Sequence, residues 1–206
     1  MSLFNTLSQK PWLPSQERID NDHSGRSLSS DASRVGFFVF IASITTLFTL
    51  FLVAYIGRMA YGDWRVLPEP AMLWVNTFIL FLSSVFFQKA KNFSNHYDFR
   101  GARIYLILAG LLTLFFLFGQ IAVWKTLISY GYFLSSNPSF AFFYLLTGLH
   151  MVHLLGGLSV WSFSVYKTFN EDISVNELRS TISLSTMYWH FLLIVWIFLF
   201  GLLLAT

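Results

Sequence analysis

The 206-residue chain has no cysteine. That excludes a disulfide framework, a thiolate metal site and a nucleophilic thiol. Charge is nearly as scarce, with Asp, Glu, Lys and Arg at 11% of residues against 55% apolar types. Soluble globular domains carry about 25% charged residues, so this balance belongs to a membrane protein. The net charge of +3 lies between the apolar runs and reports topology rather than a nucleic-acid footprint. No repeat of fixed period and no second domain are visible. The polar N-terminus mixes acids with bases and does not read as a cleaved signal peptide.

What the chain has is long apolar runs. Residues 1–34 are rich in Ser, Asp, Arg and Pro without an apolar period, and are expected to form a polar cytoplasmic tail, partly disordered. Spans follow at 35–56, 71–87, 104–124, 140–165 and 184–205, against the roughly 20 residues that cross a bilayer. The second is short and carries Asn76, Thr77, Ser83 and Ser84, small polar side chains that suit helix packing better than lipid contact. Residues 89–103 and 167–180 are expected as charged loops, and Pro138 as the start of the fourth helix. The expected fold is all-α: a polytopic bundle of five transmembrane helices in residues 35–206. Ten of the 13 Lys and Arg residues fall on one side of these spans, which puts the N-terminus in the cytoplasm and the C-terminus outside.

The acids are missing where chemistry would need them. Asp63, Glu69, Asp98, Glu171, Asp172 and Glu177 are expected in loops, the others lie in the tail, and no span holds one. An autonomous proton relay, which uses chains of Asp, Glu and His in the membrane, therefore has no carboxylates. A Ser/His/Asp set lacks its Asp. His150, His153 and His190 are the striking exceptions to apolarity only in a chemical sense: they are ionisable groups in or beside spans. His150 and His153 share a helix face, with Thr147 a turn before and Gly157 a turn after. Residues at i and i+3 cannot clasp one haem from opposite sides, and a closed metal site would need further ligands. The favoured reading is that each imidazole hydrogen-bonds a Thr, Ser, Asn, Gln or backbone group of a neighbouring helix. Gly156-Gly157 reads as a point of close helix approach. Trp64, Trp74 and Trp161 are expected in the interfacial belt, and Trp189 and Trp196, seven apart, on one packing face.

These residues also carry a resemblance. Thr147-Gly148-Leu149-His150-Met151-Val152-His153 resembles the T-G-x-H-x-x-H signature of subunit III of haem–copper respiratory oxidases. Tyr188-Trp189-His190-Phe191 with Val195-Trp196 resembles that family's Y-W-H-F-V-D-x-V-W motif. Asn76-Thr77 with Ser83-Ser84 is similar to its N-T-x-x-L-x-x-S-S helix, Gln120 with Trp124 to its Q-x-x-E-W, and Phe40 to Ser43 to its L-F-x-x-S-E. Where the family pattern has carboxyls, this chain has Ile44, Val123 and Leu193. The resemblance implies the five-span bacterial form of a non-redox accessory subunit in the inner membrane. It implies direct contact with subunit I and other oxidase subunits, support of the catalytic subunit's proton uptake, and bound phospholipid. No catalytic or cofactor-binding residue is implied in this chain, with haem and copper held by the partner catalytic subunit. His150, His153, Gly157, Thr147, His190, Trp189, Asn76 and Gln120 are expected to serve helix packing, and Arg100 and Arg103 to meet lipid headgroups. The alternatives are an accessory protein of nitric oxide reductase or, from a different class, a stand-alone transporter or haem-handling membrane protein.

Overall fold

The computed structural model describes residues 26–66, 68, 70–169 and 174–205, with side chains from residue 34 onward. Residues 1–25, Glu69, Glu171 and Asp172 lie outside the described residues. The described chain is helical: α1 Arg26–Met59, α2 Met72–Asn95, α3 Phe99–Ser129, α4 Pro138–Lys167 and α5 Val175–Leu204. All five are long and apolar enough to cross a membrane. The helices overrun the apolar stretches. α2 continues to Asn95 and α3 starts at Phe99, so most of the expected loop 89–103 is helix. Hydropathy marks where hydrocarbon ends, whereas Lys, Gln and Ala keep a helix going beyond it. Gln88 donates to Asn92 one turn on at 3.0 Å, supporting the extension. Likewise Glu177, expected in a loop, sits in the first turn of α5, where a carboxylate favours the exposed N–H ends.

Local chemistry sets the helix ends. Asp98 caps α3 by accepting from Gly101 N at 2.9 Å. Asn137 caps α4 by accepting from Ser139 N at 3.0 Å, with Pro138 at the first helical position. Ser174 accepts from Glu177 N at the start of α5. Tyr97, with φ of 63°, takes the left-handed conformation that turns the chain between α2 and α3.

The chain divides into two compact units, Met1–Ile44 and Thr45–Thr206. In the first, the described part is the leading segment of α1, where Ser43 Oγ donates back to Val39 O at 2.9 Å. In the second, α2 packs on α3 and α5, and α4 packs on α3 and α5, closing a four-helix ring. Its centre is filled by Trp189, Trp196, Phe87, Phe116, Phe143 and Leu154, all buried. Tyr55 of α1 meets Trp64 and Phe142 edge-on at 4.9 and 5.6 Å.

The turn after α1 is tied by Arg58, whose guanidinium donates to both carboxylate oxygens of Asp63, one at 2.7 Å. That hydrogen bond holds the Asp63 carboxyl below its usual range. A depressed carboxyl pKa contributes stability above its unfolded value, and the contribution is lost as pH falls through the folded one. Amide protection of residues 60–64 should therefore fall only below about pH 4, the ordinary range for Asp. Asp63→Asn should abolish this pH dependence in hydrogen exchange. Identical profiles for the two proteins would mean that the exposed pair is inert.

Candidate functional site

The polar side chains of the second unit gather between helices. His190 on α5 is held by α2: Ser84 Oγ and His190 Nδ1 lie 2.5 Å apart, and His190 Nε2 and Gln88 Oε1 lie 3.1 Å apart. Gln88 Oε1 can only accept, so Nε2 carries the proton and Nδ1 accepts from the serine. This imidazole has the neighbouring-helix partners expected of it. His153 does not: its Nδ1 donates to Leu149 O of its own helix at 2.7 Å, and its ring rests 5.4 Å from Phe48.

His150 departs further from expectation. It is wholly buried, yet neither ring nitrogen has a hydrogen-bond partner among the described residues. Its surroundings are aromatic, with the Trp196 ring 5.2 Å away at 33° and Phe116 at 6.2 Å and 82°. The rotation of α4 points the imidazole at rings that offer faces rather than lone pairs. One turn earlier, Thr147 accepts from Trp124 Nε1 at 3.2 Å and donates to Phe143 O at 2.6 Å.

Asn76 and Gln120 meet across α2 and α3, Asn76 Nδ2 donating to Gln120 Oε1 at 3.4 Å. Gly119 makes room for this contact. A Cβ there would lie 2.2 Å from Asn76 Oδ1. Next to Asn76, Thr77 accepts from Trp196 Nε1 at 3.0 Å. The other tryptophan of that helix, Trp189, reaches across the ring to donate to Thr113 on α3 at 3.1 Å. Thr113 also pairs with Ser83 at 2.9 Å.

Gly157 lies under the Tyr188 and Trp189 rings, where a Cβ would stand 2.8 and 2.9 Å from their atoms. Both rings are anchored, Tyr188 by donating to His153 O at 3.1 Å and Trp189 by Thr113, so neither can retreat cheaply. Overpacking a filled core costs roughly 1–3 kcal/mol. Gly157→Leu should therefore lower the thermal stability of the detergent-solubilised chain, while Gly156→Leu, where a Cβ meets nothing within 4 Å, should leave it nearly unchanged. Equal losses at both positions would refute the contact.

Sequence reasoning missed several contacts. Trp161 lies over Gly110 of α3 and donates to Leu106 O at 2.7 Å. A lone glycine in an apolar run was the available signal. Ser164 and Ser185 join α4 to α5 at 2.8 Å. Arg103, named for lipid headgroups, is occupied: it donates to Thr168 Oγ1 at 3.2 Å and to Thr168 O, with its guanidinium 4.0 Å from the Phe169 ring centroid. It thus caps the end of α4, where free carbonyls attract a cation. Arg100 is exposed. Ile44, Val123 and Leu193, where the resemblance implies carboxyls, are buried, at 4%, 0% and 9% exposure. No group of three or more His, Cys, Asp or Glu that could hold a metal ion occurs among the described residues.

Comparison with known proteins places this sequence among relatives. Residues 65–204 match the sequence pattern of cytochrome c oxidase subunit III. A probable cytochrome c oxidase subunit 3 of Mycobacterium tuberculosis is 31% identical over 171 residues, covering 81% of this chain and 84% of the relative. Quinol oxidase subunit 3 of Bacillus subtilis is 28% identical over 190 residues, covering 87% and 91%. Cytochrome c oxidase subunit 3 of Thermostichus vulcanus is 28% identical over 173 residues, covering 82% and 85%.

Proposed function

Because the chain belongs to the cytochrome c oxidase subunit III family, and so to a multisubunit oxidase using cytochrome c or quinol, we propose that it is the non-redox accessory subunit of a bacterial haem–copper terminal oxidase. In this reading it lies directly against the catalytic subunit I in the inner membrane, N-terminus inside. It stabilises that subunit and its proton uptake, and binds phospholipid. Haem and copper belong to the partner.

The observation that carries this reading is how the interior polar groups are used. The N–H groups of Trp124, Trp161, Trp189 and Trp196, and both nitrogens of His190, are engaged in bonds between helices. These groups are spent on neighbouring helices rather than kept for a cargo, with His150 and Gln120 Nε2 the unpartnered exceptions inside the ring among the described residues. Each bond in a membrane bundle contributes about 0.6 kcal/mol on average, so the set serves cohesion. The outer faces, by contrast, present bulky apolar residues such as Phe115, Phe118 and Phe198, surfaces suited to lipid or a partner helix. Lipid binding is supported by an apolar groove of about 250 Å³ lined by Thr45, Phe48, Leu52, Phe191, Ile194 and Phe198. Of the two arginines, the exposed Arg100 is the better headgroup partner.

One purification tests the reading. The tagged chain, extracted in mild detergent, should bring down a haem–copper subunit I and phospholipid detectable by mass spectrometry. The haem spectrum should disappear when subunit I is stripped away. Recovery with a nitric oxide reductase instead would favour that accessory role. A lone chain carrying stoichiometric haem, lost in His150→Ala, would replace the proposal with haem handling.

A further inference from the structure

Three buried polar atoms at the middle of the α2–α5 ring have no hydrogen-bond partner among the described residues: Nδ1 and Nε2 of His150, and Nε2 of Gln120. Both residues are 0% exposed. Buried polar atoms are nearly always answered by protein or by ordered water, so these three call for an explanation. A neutral imidazole leaves one N–H and one lone pair, and the glutamine leaves its amide N–H groups.

The helix register brings the two side chains together. On α3, Phe116, Gln120 and Trp124 follow at one-turn intervals on a single face. Phe116 lies against His150, and Trp124 donates to Thr147, three residues before His150 on α4. Gln120 is thus bracketed between two contacts with the same face of α4. Asn76 Oδ1 lies against Gly119 and Asn76 Nδ2 donates to Gln120 Oε1, so the contact with α2 occupies the amide oxygen and leaves Gln120 Nε2 unanswered among the described residues. On α5, Trp196 covers the imidazole with its ring but gives its N–H to Thr77.

What would satisfy these atoms must accept from Gln120 and from the imidazole N–H, and donate to the imidazole lone pair. A metal cation would face amide donors, and an anion would find no cation in the surrounding Phe, Trp, Asn and Thr. Water has two donors and two acceptors and no charge. We propose that His150 and Gln120 share internal water at the centre of the bundle. The polar chain Asn76–Gln120–water–His150 then links α2, α3 and α4 under the Trp196 ring.

Two measurements decide it. A high-resolution cryo-electron microscopy map of the assembled oxidase should show a peak within about 3.2 Å of Gln120 Nε2 and of a His150 ring nitrogen. Gln120 bonded directly to the imidazole, or no peak between them, would overturn the proposal. The second reads melting of the full-length chain in His150→Leu, Gln120→Leu and the double variant. Shared water makes both single changes lower the melting temperature, and the double no worse than the larger single, because partners of one network do not add. A dry site predicts that His150→Leu raises the melting temperature by removing unanswered polar atoms, and that outcome, or strict additivity, would also overturn it.

Discussion

Trp189→Ala is expected to remove most of the folded chain from the membrane fraction. The side chain is 1% exposed, its ring lies 4.2 Å from Phe87, and its N–H crosses the helix ring to Thr113 at 3.1 Å. It also forms the ceiling over Gly157. Truncating a large buried aromatic costs about 3–5 kcal/mol, through lost contacts and the cavity left behind. Dispersion carries most of that here, since lipid is as apolar as the core and burial from water is not the driving force. Trp189→Phe separates the parts: it keeps most of the ring, loses the bond, and should cost nearer the ~0.6 kcal/mol average of a membrane hydrogen bond. Accumulation in membranes and thermal aggregation in detergent give both values. An alanine variant as stable as the parent would show that α3, α4 and α5 do not depend on this ring.

The second large effect concerns acids. Introducing a lone carboxyl by Ile44→Glu should weaken the subunit by several kcal/mol, because a buried charge without a partner is desolvated or forced to protonate. Ile44 is 4% exposed, so the new group has little water to turn to. Single losses from a buried ionic network are costly, yet replacing the whole network by packed apolar residues is often neutral. Ile44, Val123 and Leu193 fit such a joint replacement. By the same argument dicyclohexylcarbodiimide, which attacks buried carboxyls, should not label this chain within its spans. Any aid to proton uptake would then act through packing, lipid or loop acids such as Asp98. Specific labelling of a span, or an Ile44→Glu subunit retained at the parent level with faster proton uptake, would refute the idea.

The sequence by itself determined the number and order of the spans, the absence of cysteine and of acids within them, and the family motifs. Each is a local property: hydropathy is summed over neighbours along the chain, and a helix in lipid satisfies its own backbone wherever it runs. For His190 the class of partner was legible, a Ser, Thr, Asn, Gln or backbone group of a neighbouring helix, and Ser84 of α2 is such a group. Only the tertiary structure decided the rest. It placed Trp161 over Gly110, turned Arg103 onto the end of α4, left His153 to its own backbone and left His150 without a hydrogen-bond partner among the described residues. These depend on the rotation and register of each helix against its neighbours. In α4, apolar residues surround the axis on every side, and a helix with no polar face carries no sequence signal of which side meets which partner.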